Sequence, residues 1–416
     1  MDTHSVQDAR ASLEEDLGRF VREHALVADP YPLFVWLRQN APVAEVDGVR
    51  LLTRYQDVVE GYRNQLFSRR RGVELEAAAH PSGGPVDETV QKAHEASFNM
   101  MINLDEPDHK RVRQILEIAF KPTRVVMWKQ RIEAITDELV DRVAGKVRFD
   151  FRREIAFPLP ERVICELMGV PIEDHALWSR WSETVVDFTN KLDLTAEESA
   201  AVLDAHRGFY LYFKELIEKR RDSLSDDLVS VLIRAEGEEG RLTELEMLGS
   251  LQMLIEAGHE TTANLVCNGM YTLLKHPEQY ELLREDPDLA PAAVEEMLRY
   301  ASPAHRSLLR VALDDVAMSN GFVPKGCPIL MQLNAANRDP AIFEEPESFD
   351  IRRKANRHIA FAAGPHFCLG NQLARMEAES IFRAIATRLP RLELVEEPKF
   401  RRTNVRALES LVVRKA

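Results

Sequence analysis

The segment Phe361-Ala-Ala-Gly-Pro-His-Phe-Cys-Leu-Gly370 decides the fold, because it presents one cysteine in a setting suited to binding iron. A buried thiolate needs compensation for its charge, and the N–H groups of a glycine-containing turn followed by a helix N-terminus supply it. The small residues Gly364 and Gly370 would let a large flat cofactor approach the backbone, while Phe361 can lie over the sulfur. The pattern therefore predicts a metal ligand at Cys368.

A cysteine in a glycine turn is, taken alone, more often an inert buried thiol than a ligand. Here the complete pattern Phe-x-x-Gly-x-His-x-Cys-x-Gly continues as Asn371-Gln-Leu-Ala-Arg-Met-Glu377, and the whole resembles the haem-binding signature of the cytochrome P450 family. This resemblance implies that Cys368 is the axial thiolate ligand of the iron of haem b. The family usually has glycine where this chain has Ala362, which predicts a slightly different turn.

Length and composition predict a large globular protein. The chain has 416 residues, of which 45% are hydrophobic and 29% charged, and its net charge is −14. Such a charge argues against nucleic acid or an anionic membrane as the main partner. The polar start predicts neither a signal peptide nor a membrane anchor, and four cysteines without paired spacing predict a reducing cytoplasm.

Residues 1–28 are interpreted as an N-terminal polar segment. The family resemblance implies that residues 29–416 form a single catalytic domain, and we expect a monomer.

The remaining pattern predicts a mainly α protein with small β-sheets. Residues 43–53 are expected to form a hairpin turning at Asp47-Gly48, and residues 69–98 a long loop interrupted by a short helix. Residues 109–234 are mostly helical in pattern, with breaks expected at Pro122, Pro158-Leu-Pro160, Pro171 and Asp193, and short strands are expected after Arg310. The signature cysteine should be followed by a helix from Leu369 to about Arg388.

A second long helix contains a polar interruption. Thr243 and Glu246 form a plausible capping box, and the apolar pattern then continues to Leu274 before His276-Pro277 ends it. In its middle, Ala257-Gly-His-Glu-Thr-Thr262 places a glycine, an acid and two β-branched hydroxyls where helix propensity favours Ala or Leu. Threonine hydroxyls can bond to i−4 carbonyls and open a helix to water or a ligand.

This interruption resembles the Ala-Gly-x-Glu/Asp-Thr segment over the distal face of haem in the P450 family. The resemblance implies that Glu260 and Thr261 relay protons to dioxygen, while Ala257 and Gly258 leave room for the oxygen. The alternative from the residues alone is a glycine packing contact beside exposed polar side chains.

An ion-pair motif is expected to support the cofactor structurally. Glu296 and Arg299 lie three apart on one helix face, a spacing that most often gives a surface ion pair of little worth. It matches the family's Glu-x-x-Arg motif, which implies a buried triad completed by a later arginine. Spacing favours Arg353 as that residue, with Arg352 as the neighbouring alternative.

Haem carries two propionates, and their burial requires cationic donors. Four positions match the family's pattern: His109, Arg113, Arg310 and His366. Each would be interpreted as a surface residue if it stood alone, but together with the cysteine they form a consistent set.

Three functions compete on this pattern. The first is a haem-thiolate monooxygenase that inserts one oxygen atom from O2 into a small organic substrate, with electrons from a ferredoxin and its reductase. The second is a non-catalytic haem sensor or carrier, which has no need of Glu260 and Thr261. The third, a cysteine hydrolase using Cys368 and His366, is disfavoured because residues two apart on a tight turn seldom face each other.

The substrate pocket is expected, by position in the family, to include Leu254, Ala304, His305 and Arg306. A guanidinium near an apolar cavity is costly unless paired, and a substrate carboxylate is one partner that Arg306 could have. The alternative is that Arg306 turns outward, or pairs with a protein carboxylate or a propionate.

A basic patch in an acidic chain predicts docking of an acidic ferredoxin. Family resemblance places two cation-rich segments around the cysteine face, although solvated helix faces are the alternative. The cations are Lys110, Arg111, Lys121, Arg124, Lys129, Arg352, Lys354 and Arg357.

Overall fold

The computed structural model describes residues 30–79, 87–189, 191, 194–236, 242–401, 403 and 405–416. The predicted polar segment 1–28 lies outside the described residues. None of the helices in the described ranges is both long and apolar enough to cross a membrane.

The α-helices of the described chain follow in order. They are α1 Tyr31–Asn40, α2 Tyr55–Arg63, α3 Arg69–Ala79, α4 Glu88–Phe98, α5 Asp108–Leu116, α6 Pro122–Ala144, α7 Pro158–Met168, α8 His175–Phe188, α9 Ala196–Arg221, α10 Leu228–Glu236, α11 Glu244–Lys275, α12 Pro277–Glu285, α13 Ala290–Ala301, α14 Leu333–Ala336 and α15 Asn371–Arg388. Shorter helical segments are Met101–Asn103, Arg152–Ala156, Ile172–Asp174, Pro287–Leu289 and Gly364–His366.

Within the described ranges, ten short strands form three small sheets. They are β1 Val43–Val46, β2 Val49–Leu52, β3 Phe67–Ser68, β4 Arg148–Asp150, β5 Arg310–Ala312, β6 Val316–Met318, β7 Gly321–Val323, β8 Pro328–Met331, β9 Leu392–Leu394 and β10 Val412–Lys415. The sheets have the orders β1-β2-β8-β5-β3, β4-β10-β9 and β6-β7. All pairs are antiparallel except β2 with β8. The prediction of a mainly α fold with small sheets is confirmed.

The predicted hairpin of the first sheet is present. Val43 pairs with Leu52 and Val46 with Val49, so the turn falls at Asp47-Gly48. Both turn residues have positive φ, 50° and 77°, as a two-residue hairpin loop requires.

One expectation about secondary structure is wrong. Residues 69–98 are not a long loop, because α3 and α4 occupy most of the segment, and α3 is built from Arg, Glu and Ala, which favour helix. The expected breaks at Pro122, Pro158 and Pro171 are confirmed, and α6 and α7 begin at Pro122 and Pro158, where a missing N–H costs nothing. The strand β4 within the supposedly helical region was not foreseen. The predicted break at Asp193 lies outside the described residues.

The long helix α11 lies at the centre of the fold. Its N-terminus carries both hydrogen bonds of the predicted capping box, between Thr243 and Glu246. With 32 residues it is about 48 Å long. It packs against α4, α7, α9, α13 and α15, and it is buried on almost every face, as a helix in the core of a large protein must be. Its polar interruption therefore faces the interior.

Candidate functional site

The loop before α15 holds Cys368 in a defined position. The Cys368 N–H donates to the Phe361 carbonyl at 3.0 Å, and the turn Gly364–His366 lies between them. Gly364 has φ +68°, and a Cβ there would lie 2.7 Å from the Tyr62 carbonyl oxygen. Only glycine fits this position, because the backbone of α2 approaches it closely.

Ala362 has φ +61°, in the left-handed region that favours glycine. A non-glycine residue there costs about 1–2 kcal/mol. The departure from the family pattern at this position therefore leaves the turn in place, with strain concentrated at one residue.

The environment of the Cys368 thiol favours a ligand over a free nucleophile. Burial raises its pKa, while the Gly370 N–H and the guanidinium groups of Arg113 and Arg375 act in the opposite direction. Arg375 also lies over the ring of Phe361, 4.5 Å from its centroid. A thiolate in this site would need a metal ion to replace the proton.

Cys368 faces a cavity of about 350 Å³. One wall consists of the cysteine loop and the start of α15, including Phe361, Cys368 and Gly370, and another consists of α11 at Ala257 and Thr261. An ideal Cβ at Gly370 would meet no protein atom within 4 Å, so this wall is open toward the cavity. The space between the two walls fits a flat macrocycle ligated by Cys368.

The four residues expected to bind propionates converge at one edge of this cavity. The rings of His109 and His366 lie 4.0 Å apart, between centroids. Arg113 donates to the Pro365 carbonyl at 3.0 Å and Arg310 to the Phe67 carbonyl at 3.1 Å. Arg113, Arg310 and His366 line the cavity itself.

The electrostatics of this edge call for an anion. Burial, with Arg310, His109 and Arg113 nearby, lowers the pKa of His366 to about 2. Burial also lowers the pKa of His109, and its buried Nε2 has no hydrogen-bond partner in the described part of the chain. Neighbouring basic groups lower one another's pKa in this way, and a nearby carboxylate would reverse that effect. The edge therefore fits the propionates of haem.

Sequence reasoning missed Arg69 as a further member of this edge. Its side chain is buried, donates to the Leu309 carbonyl at 2.8 Å and pairs with Glu76 at 3.0 Å. Its buried Nε lacks a partner among the described residues, and the residue lines the cavity. The run Arg69-Arg70-Arg71 was the available signal, but it was interpreted as part of a loop.

The polar interruption of α11 forms the other wall. The Thr261 hydroxyl donates to the Ala257 carbonyl at 2.8 Å, the i−4 bond that the sequence suggested. A Cβ at Gly258 would lie 2.8 Å from Ile164 Cδ1, so this glycine also allows α7 to pack closely. The bond and the contact together fix the helix where it borders the cavity.

Glu260 is held in a network that no motif predicted. Arg401 Nη1 donates to Glu260 Oε1 at 3.1 Å, and Arg401 Nη2 donates to Asp187 Oδ1 at 2.7 Å. Burial raises the pKa of Glu260 to about 7, Arg401 opposes this, and Asp187 and Glu183 add to it. A carboxyl group with a pKa near neutrality can both accept and release a proton.

The Glu-x-x-Arg motif is fully buried beside this site. Arg299 makes a bidentate pair with Glu296 at 2.8 and 2.7 Å, and both side chains are 0% exposed. Arg353 Nε lies 3.1 and 3.2 Å from the two Glu296 oxygens, whereas Arg352 is exposed. The structure thus brings Arg353, and not its neighbour, to the pair.

The expected substrate residues are only partly brought together. Leu254, Ala304 and Arg306 line the cavity. His305 is buried but does not line it, and its carbonyl accepts from the Asn334 N–H at 3.2 Å. Burial lowers the pKa of Arg306 to about 10, and Glu76 acts in the opposite direction. Glu76 thereby offers the protein carboxylate that the alternative interpretation named.

Comparison with known proteins gives matches along most of the chain. The family model described as Cytochrome P450 matches residues 75–397. Cytochrome P450 CYP107DY1 of Priestia megaterium is 38% identical over 367 residues, 86% of this chain and 88% of its own length. Cytochrome P450 107B1 of Saccharopolyspora erythraea is 37% identical over 413 residues, 94% and 96% of the two chains.

A solved structure extends the likeness to three dimensions. P450BioI in complex with hexadec-9Z-enoic acid ligated acyl carrier protein has a TM-score of 0.84 at 33% identity, covering 93% of this chain and 99% of that chain. Matches that run along most of both chains, in sequence and in fold, show that this chain belongs to the cytochrome P450 family, whose members are haem-thiolate monooxygenases.

Proposed function

We propose that this cytochrome P450 monooxygenase uses Cys368 as the axial ligand of haem b and oxidises a small organic substrate in the cavity under α11. The observation that carries the proposal is that the expected ligand, the cationic groups and the α11 hydroxyl meet at one cavity. Cys368, the cationic edge around Arg113 and Arg310, and the Thr261 hydroxyl all border one cavity. Haem bound there would supply the iron at which O2 is activated with two electrons.

Thr261 and Glu260 are proposed to handle protons on the α11 side. The Thr261 hydroxyl lies at the cavity wall and can exchange its donor role between the Ala257 carbonyl and a ligand. Glu260, with a pKa of about 7, can carry a proton toward it at neutral pH. Arg401 orients the Glu260 carboxyl group and keeps it partly ionised.

The competing functions lack support from these contacts. A cysteine hydrolase needs a base bonded to its thiol, but the His366 ring packs on His109, and no hydrogen bond joins His366 to Cys368 within the described residues. A sensor or carrier has no use for a buried acid of near-neutral pKa beside Thr261. The proton-handling pair therefore favours an enzyme.

An acidic ferredoxin, reduced by its reductase, is proposed as the electron donor in the cytoplasm, with a monomeric enzyme. Lys110, Lys121 and Lys129 are exposed on α5, before α6 and on α6. Arg111 contributes less, because it pairs with Glu246 of the α11 capping box and with Asp108. The side chain of Arg124 lies outside what the structure describes. Lys110, Lys121 and Lys129 therefore remain the proposed docking cations.

The test is spectroscopic and then catalytic. Reduced protein treated with carbon monoxide should give the spectrum of thiolate-ligated haem, and Cys368→Ser should not. Substrate turnover with ferredoxin, its reductase and O2 should yield one oxygenated product per two electrons. A thiolate spectrum without any turnover across a broad substrate library would favour the sensor or carrier.

A further inference from the structure

A second cavity of about 250 Å³ adjoins the first one. The two share wall residues, among them Met253, Ala257 and Thr261 on α11. The second extends away from Cys368, toward α4, α8 and α9, through Phe98, Val185 and residues of α9. A ligand oxidised near Thr261 would therefore extend its other end into this space.

Besides Glu76, a second carboxyl group faces this mostly apolar space. Glu256 lines the second cavity, one residue before Ala257 and one turn before Glu260. Gln252 Nε2 donates to Glu256 Oε1 at 2.7 Å and lies 2.6 Å from His206 Nδ1. In the part of the chain that the structure describes, no hydrogen bond reaches Glu256 Oε2. The second oxygen is thus available to a ligand.

The other charged and titratable groups near the second cavity differ from Glu256 in their partners or type. On α3, Arg69 and Glu76 neutralise each other at 3.0 Å. His94 on α4 and His206 on α9 also line the cavity, and Glu260 faces Glu256 from the same helix. Among the described lining residues, Glu256 is the acid that has no cationic partner.

We propose that Glu256 recognises a positively charged nitrogen, so that the substrate of this enzyme carries a basic amine at the end away from the oxidised carbon. The inference rests on the proposed function, because it takes the oxidised carbon to lie near Thr261. Along α11, Glu256 and Thr261 are five residues apart, about 7–8 Å of helix rise. The amine should therefore be separated from the reacting carbon by several bonds.

The protonation of Glu256 predicts how the affinity for a cation changes with pH. Burial, with a smaller contribution from Glu260, raises the pKa of Glu256 to about 8, although Gln252 opposes the shift. At neutral pH the empty cavity therefore contains a neutral acid. A bound cation favours the carboxylate, so binding must release a proton, and affinity for the cation rises with pH until about pH 8.

The experiment compares three probes that share an ω-hydroxyoctyl chain. One ends in trimethylammonium, its neutral isostere ends in tert-butyl, and the third ends in carboxylate. A quaternary nitrogen has no lone pair, so it cannot ligate iron and confuse the optical readout. Dissociation constants are taken from the haem spectral shift at several pH values in wild type, Glu256→Gln and Glu244→Gln, where exposed Glu244 controls for net charge on α11.

Wild type should bind the cation about tenfold tighter than the isostere above pH 8, as expected for one charge-assisted contact. Below that pH the advantage should fall by about tenfold per pH unit, and only for the cation. Glu256→Gln should abolish the preference, while Glu244→Gln should retain it. His206→Gln, which keeps a hydrogen-bonding group, should leave the pH midpoint near that of wild type.

Three results would overturn the proposal: equal binding of cation and isostere, a preference that survives Glu256→Gln, or tightest binding of the carboxylate. Should Glu256→Gln lose haem, calorimetry of wild type in two buffers still decides, because the cation must release close to one proton at pH 7 and the isostere none. The carbon monoxide spectrum is recorded first on every sample. Its absence from wild type would refute the proposed function, whereas its presence with equal probe binding would refute only the amine.

Discussion

Replacing Arg401 by Gln should shift the pH optimum of coupled turnover upward. Arg401 Nη1 lies 3.1 Å from Glu260 Oε1, and at an effective dielectric constant of about 20 two unit charges at that distance attract by roughly 5 kcal/mol. Arg401 also pairs with Asp187, so only part of this attraction acts on Glu260. Glutamine in place of Arg401 keeps a hydrogen-bond donor. We therefore expect the pKa of Glu260 to rise by about 1–2 pH units from its value of about 7.

The assay is product formed per electron consumed, measured across pH. A proton relay works best when the pKa of its acid is near the working pH, so the optimum should follow Glu260. Asp187→Asn is the matched control, because Asp187 raises the pKa of Glu260 and its neutralisation should move the optimum downward. Shifts of both variants in the same direction, or no shift in either, would refute Glu260 as the titrating group.

Equilibrium unfolding provides an independent check of the direction in which the pKa of Glu260 is shifted. The folded-state pKa of Glu260 is raised from 4.5 to about 7, so its contribution to stability is fully present below pH 4.5 and is lost as pH rises to 7. The loss is at most about 3 kcal/mol, since each pH unit corresponds to about 1.36 kcal/mol. Glu260→Gln should flatten the unfolding free energy across that window, and an unchanged pH dependence would show that another group titrates there.

Four further outcomes are expected. Cys368→Ser should lose the thiolate-haem spectrum in reduced, carbon monoxide-treated protein; an unchanged spectrum would remove Cys368 as the ligand. Thr261→Ala should keep haem and ligand binding but release hydrogen peroxide, with product per electron falling by about tenfold or more; full coupling would leave Thr261 a packing role. Ala362→Gly should raise the free energy of unfolding in urea by about 0.5–1 kcal/mol, because strain at φ +61° is relieved; a loss of stability would contradict that strain. Reversing Lys121 and Lys129 to Glu should slow reduction by ferredoxin but not by a small chemical reductant, and equal slowing by both donors would exclude a docking role.

The parts of the site that the sequence predicted are those written in short motifs. The cysteine loop, the capped helix α11 and the i, i+3 pair of Glu296 and Arg299 are set by residues close in sequence, so spacing alone indicates them. The structure brings Cys368, Ala257 and Thr261 to one cavity and brings Arg353 to Glu296. Local chemistry sufficed there because each motif supplies its own geometry.

The contacts that were missed join distant residues with no motif of their own. Arg401 lies 141 positions from Glu260 and 214 from Asp187, and only the packing of the C-terminal segment on α8 and α11 brings them together. No motif singled out Glu256, whose partner Gln252 also contacts His206 on the distant α9. The sequence pattern did not predict α3 and α4, because the proline-rich sequence between them indicated a loop despite good helix formers on either side.

The two adjoining cavities carry opposite charge, and this has a consequence for ligands. Arg113 and Arg310 lie at one edge of the first cavity, while Glu256 lines the second cavity from α11, one turn before Glu260. A dianionic cofactor at the cationic edge would satisfy those arginines, and its charge would add to the burial that raises the pKa of both acids. Neither acid then gains a counter-ion from the cofactor. A cationic substrate would supply one to Glu256, and the proton it displaces would leave from the helix that also holds Glu260, so substrate binding and proton supply would be coupled on α11.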